Sequence, residues 1–254
     1  MGNRFRSIGF PVESSEQLSW LAAAASKAGA ARENDSGAYV AAALPDGGQL
    51  WVQINKQNEI VGCVPHFQGE GAMRVRVGGA RQGIETMLDG SLLLWAGPDQ
   101  AAEGDLGLFP FLADVPDFCD AAIRLPLGTV VDVQVAAFAD SLHCFDDEAA
   151  LHAQGGVYSA FAARSFIPSG LMNPDGGARE SPEATGVVSG VILGGEKLLN
   201  PATQQEYLHL LVETLGGSID VVSEVDLVQG TPVVGGVVLG EFWFSARVVR
   251  VAAA

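Results

Sequence analysis

The sequence predicts an α+β, β-rich fold: mostly antiparallel sheets, one N-terminal helix and a small OB-like β-barrel at the C-terminus. Three observations carry this. Thirty-two glycines and twelve prolines in 254 residues, without a collagen period, mark many turns and therefore many short strands. Hydrophobic residues make up 48% and charged residues only 17%, enough apolar surface for a packed core. One segment near the start combines a helix cap, an apolar run and a stop.

That segment is Ser14-Ser15-Glu16-Gln17, followed by Leu18, Trp20, Leu21 and an alanine run, with Gly29 beyond it. Ser14 is placed to accept from the Gln17 N–H while Gln17 reaches back, the reciprocal pattern of a capping box. Strand signals follow. Residues 39–44 and 50–55 flank Pro45-Asp46-Gly47-Gly48, a turn sequence, and residues 60–66, 73–77 and 91–95 read as further short strands. In Met73-Arg74-Val75-Arg76-Val77 apolar residues alternate strictly with arginines. Residues 96–120, rich in Pro, Gly and Asp, read as irregular. Residues 129–138 are a β-branched strand, and 145–154 a short helix with Asp146, Asp147 and Glu148 in its first turn.

The stretch LMNPDGGARESPEA, residues 171–184, has almost nothing to bury and reads as a linker. It divides an α+β region of mostly antiparallel strands, 1–170, from a compact all-β region, 185–254. In the latter, a long first strand, a hairpin around Gly216-Gly217-Ser218, a short connector at 226–230 and a closing ribbon at 233–249 suit a small five-stranded barrel.

Charge narrows the partners. Fourteen Lys and Arg against thirty Asp and Glu give −16, and residues 91–182 alone carry three basic and thirteen acidic side chains. A surface this acidic repels nucleic-acid phosphates and anionic membranes; its plainest role is solubility, and it also favours a basic protein partner or a cation. No apolar run approaches the roughly 20 residues that a bilayer requires. The start, Met1-Gly-Asn-Arg-Phe-Arg, is unlike a signal peptide. Three widely spaced cysteines suit reduced thiols in a cytoplasm. Eleven arginines against three lysines, with abundant Ala and Gly, suit a bacterial chain.

Catalytic signatures are missing. Neither a GxGxxG after a strand, a Walker A loop nor a GxSxG elbow occurs. Cys63-Val-Pro-His66 and His143-Cys144 together hold the donors of a zinc site, but adjacent strand residues point to opposite faces and no Cys-x-x-Cys knuckle is present. Asp114, Asp117 and Asp120 lack calcium-loop spacing. No metal or other cofactor is expected.

The last strand, GVVLGEFWFSARVV, decides the candidate site. Alternation puts Val238, Gly240, Phe242, Phe244, Ala246 and Val248 on a core face, and Leu239, Glu241, Trp243, Ser245 and Arg247 on a mixed one. Tyr207, His209, Leu211 and Glu213 form a similar mixed face earlier. If the two share a surface, Tyr207, His209, Glu241, Trp243 and Arg247 make a binding patch. His209 and Glu213, roughly 13 Å apart along a strand, do not form an acid–base pair. The expected protein is therefore a non-catalytic module that binds a protein partner or itself through this patch, since Trp, Tyr and Arg dominate such interfaces. The alternative is an enzyme or small-molecule-binding protein with its site between the two regions, near His66, His143 and the acidic loops.

Overall fold

A computed structural model of the chain describes residues 4–83, 86–173, 175 and 177–251. Residues 1–3, residues 174 and 176 of the expected linker, and the end of the expected C-terminal region after Val251 lie outside them.

Helix α1 (Ser15–Ala25) begins as its sequence dictates. Ser14 Oγ accepts from the Gln17 N–H at 3.2 Å, and Gln17 Oε1 accepts from the Glu13 N–H at 2.6 Å. The strands β1 (Ala31–Asn34), β2 (Gly37–Ala43), β3 (Gly48–Asn55) and β4 (Ile60–Phe67) then form an antiparallel four-stranded sheet in chain order. Asp46 Oδ1 closes the β2–β3 turn by accepting from the Gly48 N–H at 3.1 Å.

The other ten strands make one larger sheet. They are β5 (Met73–Gln82), β6 (Gly90–Ala96), β7 (Phe109–Asp114), β8 (Val130–Phe145), β9 (Ser165–Ile167), β10 (Thr185–Leu199), β11 (Glu206–Thr214), β12 (Gly217–Glu224), β13 (Val228–Gln229) and β14 (Val237–Val251). Short helices α2 (Phe118–Arg124) and α3 (Glu148–Ala153) flank it; Asp147 caps α3 by accepting from the Ala150 N–H at 2.7 Å. Gly216, at φ +87°, makes the tight β11–β12 turn.

The antiparallel pair β8–β14 is the spine. Along its other edge β8 meets β5 at residues 130–133, β12 at 136–138 and β13 at 142–143. The other edge of β14 meets β10 at residues 237–243 and β7 at Ser245. Two closed circuits follow: β10–β11–β12–β8–β14, and β5–β6–β7–β14–β8. This corrects the expected C-terminal barrel. The described residues from 185 to 251 do not close alone, because β8, from before the expected linker, stands between β12 and β14. A sixteen-residue strand is long enough to serve both circuits, so the stretch at 171–184 does not separate two sheets.

Several elements differ from their sequence signals. The strand expected at 129–138 runs to Phe145, and the long first strand of the 185–254 region runs from Thr185 to Leu199. Within the supposedly irregular 96–120 lies β7. Pro110 is tolerated there because only Asp114 of β7 pairs with β14, leaving the rest of that edge free of ladder bonds.

Alternation along the spine builds two cores. Val131, Val133, Val135, Ala137 and Ala139 of β8 point inward with Phe242, Phe244 and Ala246 of β14, meeting Leu94, Phe111, Leu210 and Val221. The opposite face, with Ala136, Phe138 and Trp243, packs against Val40, Leu50, Val52 and Phe67 of the four-stranded sheet. Polar groups on that outer face therefore lie between two layers. No described helix is long and apolar enough to cross a membrane.

Candidate functional site

Two polar centres lie around this interlayer, and the first is sealed. Asp220 on β12 is 0% exposed. Its Oδ1 accepts from the Glu70 N–H (3.2 Å) and faces His209 Nε2 (2.9 Å), and its Oδ2 accepts from the Gly71 N–H (2.9 Å) and Gln134 Nε2 (2.7 Å). A side chain at Gly69 or Gly71 would collide with this carboxylate, so the β4–β5 loop needs glycine to approach it. Buried charge is tolerated when saturated in this way.

His66 on β4, also 0% exposed, places Nδ1 2.9 Å from Ser245 Oγ of β14. Burial pushes its pKa down to about 3, and the Arg247 charge acts in the same direction. The sign of the resulting pH effect is definite. Between the ordinary value of 6.5 and about 3, the unfolded state carries a proton that the folded state lacks. This contribution to stability is complete above about pH 6.5 and is lost as pH falls toward 3. His66→Asn, which retains a partner for Ser245, is expected to flatten the acid limb of urea-unfolding stability between about pH 6 and 4. Equal slopes in variant and wild type would show that the folded imidazole is not held neutral.

The second centre opens to solvent. A cleft of about 730 Å³ is walled by β6, β7, β8 and β14, by residues 179–187 and by the segment carrying Arg4. That volume lies within the roughly 300–1,000 Å³ of small-ligand sites. Asp114, at the end of β7, accepts from Ser91 Oγ and from Trp243 Nε1, each at 2.6 Å. Burial raises the Asp114 pKa, while those two donors and Arg4 oppose the shift. The Arg4 guanidinium lies over the Trp243 ring, 4.1 Å from its centroid, a cation–π arrangement. Burial lowers the Arg4 pKa, and the charges of Asp114, Asp140, Glu183 and Asp89 raise it back. Glu241 is exposed at the rim, and Arg179 is held by Glu183 at 2.8 Å. The described lining thus holds four carboxylates and two guanidiniums around one aromatic face, without imidazole or thiol. Such a set offers negative charge beside an aromatic face, the two features that complement a flat cation. A second depression of about 480 Å³ beside Arg6 and Glu224 has less to offer, since Arg6 is already paired with Glu224 and Glu13.

The residues expected to form one patch are divided among three places. Glu241 and Trp243 line the cleft, although the Trp243 side chain is a buried interlayer plug rather than an exposed contact, with 2% of its surface free. His209 belongs to the sealed centre, stacked on Phe67 at 4.5 Å. Tyr207 is buried beside it, its hydroxyl 3.5 Å from the Asp46 carbonyl. Arg247 lies over Trp51, 4.5 Å from its centroid, and holds Asp117 at 3.4 Å. The reason is topological: β10 separates β14 from β11, pairing Trp243 with its start and Tyr207 with its end.

The weak catalytic and metal candidates are not gathered. His66 is sealed, His143 packs against Tyr158 and Phe145, and Cys144 points into the inner core. Cys63 is half-buried, its thiol pushed up to about 12 by burial. Among the described residues no three His, Cys, Asp or Glu side chains converge as metal ligands. Sequence reasoning missed Arg4, Asp140, Arg179 and Glu183, and placed Asp114 in an irregular segment without a role. The excess of acid in residues 91–182 was a signal for Asp114 and Asp140; none pointed to Arg4, Arg179 or Glu183.

No protein-family model, curated protein or solved structure matches the chain.

Proposed function

We propose that the protein is a non-catalytic binding module that receives a basic segment of a protein partner in the acidic cleft. The observation that carries this is the seat of Arg4: a guanidinium over the Trp243 ring, in the field of Asp114, Asp140, Glu183 and Asp89. An arginine of a partner satisfies the same groups, and the net charge of −16 steers basic partners toward it. In this reading the circuit β10–β11–β12–β8–β14, OB-like in strand number, is the rigid wall that presents Trp243 and Glu241. The three unpaired thiols fit a reducing, cytoplasmic setting.

A second reading, binding of a small molecule, is favoured by the cleft volume and by walls drawn from both the 1–170 and 185–254 regions. Titration calorimetry with a short arginine-rich peptide tests the first against it. Glu241→Lys combined with Glu183→Lys, both on the exposed rim, is expected to weaken peptide binding about tenfold or more at low salt and to leave the unfolding midpoint nearly unchanged. Unchanged affinity in the double variant removes the cleft from the reading. A single capped arginine that binds as tightly as the peptide favours the small-molecule alternative.

A further inference from the structure

We infer that Arg4 is a built-in competitor: the chain's own segment occupies the guanidinium seat of the cleft and must leave before a partner arginine enters. The inference rests on the cleft reading above and adds its regulation and the chemical class of its ligand.

The geometry is that of a bound ligand. Arg4 sits over the ring of Trp243, 239 positions away in the chain, and faces carboxylates from β7, β8 and the segment before β10. It belongs to no sheet. The first helical turn starts at Arg6, and the Phe5 carbonyl accepts from the N–H groups of Ile8 and Phe10. Arg4 can therefore swing out without breaking a strand ladder. The groups that hold it stay behind. Trp243 is fixed by packing on Phe138 and by its bond to Asp114, and Asp114 by its bond from Ser91. A preformed receptor filled by a side chain from outside the sheets is the arrangement of an intramolecular competitor.

A flat cation is specified more closely than a point charge. The aromatic face admits a planar guanidinium by stacking, while the adjacent carboxylates accept its N–H groups; an ammonium uses the charge but not the plane. The ligand class is therefore an arginine side chain, with lysine a weaker substitute.

The test is competition by mutation. Acetyl-arginine amide and an acetylated di-arginine amide are titrated calorimetrically into wild type, Arg4→Ala and Arg4→Lys. If Arg4 fills the seat about nine-tenths of the time, vacating it raises the apparent affinity about tenfold. Arg4→Ala is expected to bind both probes about that much more tightly than wild type, with Arg4→Lys between them. The gain should vanish when Asp114→Asn or Glu183→Gln, each at a carboxylate that acts on Arg4, is added. Equal affinity in wild type and Arg4→Ala overturns the competitor while leaving the cleft as a binding site. A gain that persists with Asp114→Asn and with Glu183→Gln places the ligand elsewhere and overturns the inference. No binding of either probe to any variant overturns the cleft reading itself. Circular dichroism on each variant confirms that folded protein is being compared.

Discussion

Asp220→Ala is expected to destabilise the protein by about 3–5 kcal/mol, the usual cost of removing one side of a buried, hydrogen-bonded charge. For a chain of this size that lowers the unfolding midpoint by roughly 6–20 °C. The origin is specific. Alanine strands the buried Gly71 N–H and Gln134 amide and also removes the acceptor of the Glu70 N–H and the His209 imidazole, which lie nearer solvent. Asp220→Asn should not rescue it. Each carboxylate oxygen now meets a backbone N–H, so an amide nitrogen set in either position faces a donor. A urea-unfolding measurement that finds Asp220→Asn within about 0.5 kcal/mol of wild type, the range of neutral surface changes, would refute this account of the sealed centre. His209, by contrast, borders solvent and should cost less when changed to Gln.

Trp243→Ala is expected to cost a similar amount, about 3–5 kcal/mol, for a different reason: it empties an indole-sized space between the two layers. Trp243→Phe separates packing from polarity. It keeps a ring on Phe138 but withdraws the donor from Asp114 Oδ2, and is expected to cost about 1–3 kcal/mol. The two variants also bear on the cleft. Phenylalanine still offers a face to a guanidinium, though a weaker one than tryptophan, so arginine binding should decline with Trp243→Phe and disappear with Trp243→Ala. Thermal unfolding read beside probe titration distinguishes these outcomes. Near-normal stability of Trp243→Ala would mean that the interlayer relaxes around the gap and that the ring is not a structural plug.

These two residues also show where sequence reasoning reached and where it stopped. Trp243 was singled out because alternation placed it on the mixed face of the last strand, and the structure gives it that face. Its exposure was not legible, since nothing in residues 236–249 reports that a four-stranded sheet lies above them. Asp220 carried no signal at all: an aspartate within Ile219-Asp-Val-Val-Ser looks like an exposed strand residue. Its four partners come from residues 70, 71, 134 and 209, brought together only by the closure of the larger sheet. Arg4 is the extreme case, since its meaning depends on a ring 239 positions away.

The sequence by itself determined what is local. Ser14 and Gln17 start α1, Gly216 turns the β11–β12 hairpin, and period-two alternation sends Phe242 and Phe244 inward and Trp243 outward. These outcomes depend on dihedral preference and on neighbours a few residues away, so the order of residues contains them. Only the tertiary structure decided which strands became neighbours. That β8 lies between β12 and β14, that Pro110 sits on a nearly bare strand edge, and that Arg4 reaches Trp243 follow from pairings between distant segments. Such pairings are selected by the joint burial of two faces and the saturation of many hydrogen bonds at once, a condition on the whole chain that no short stretch of it expresses.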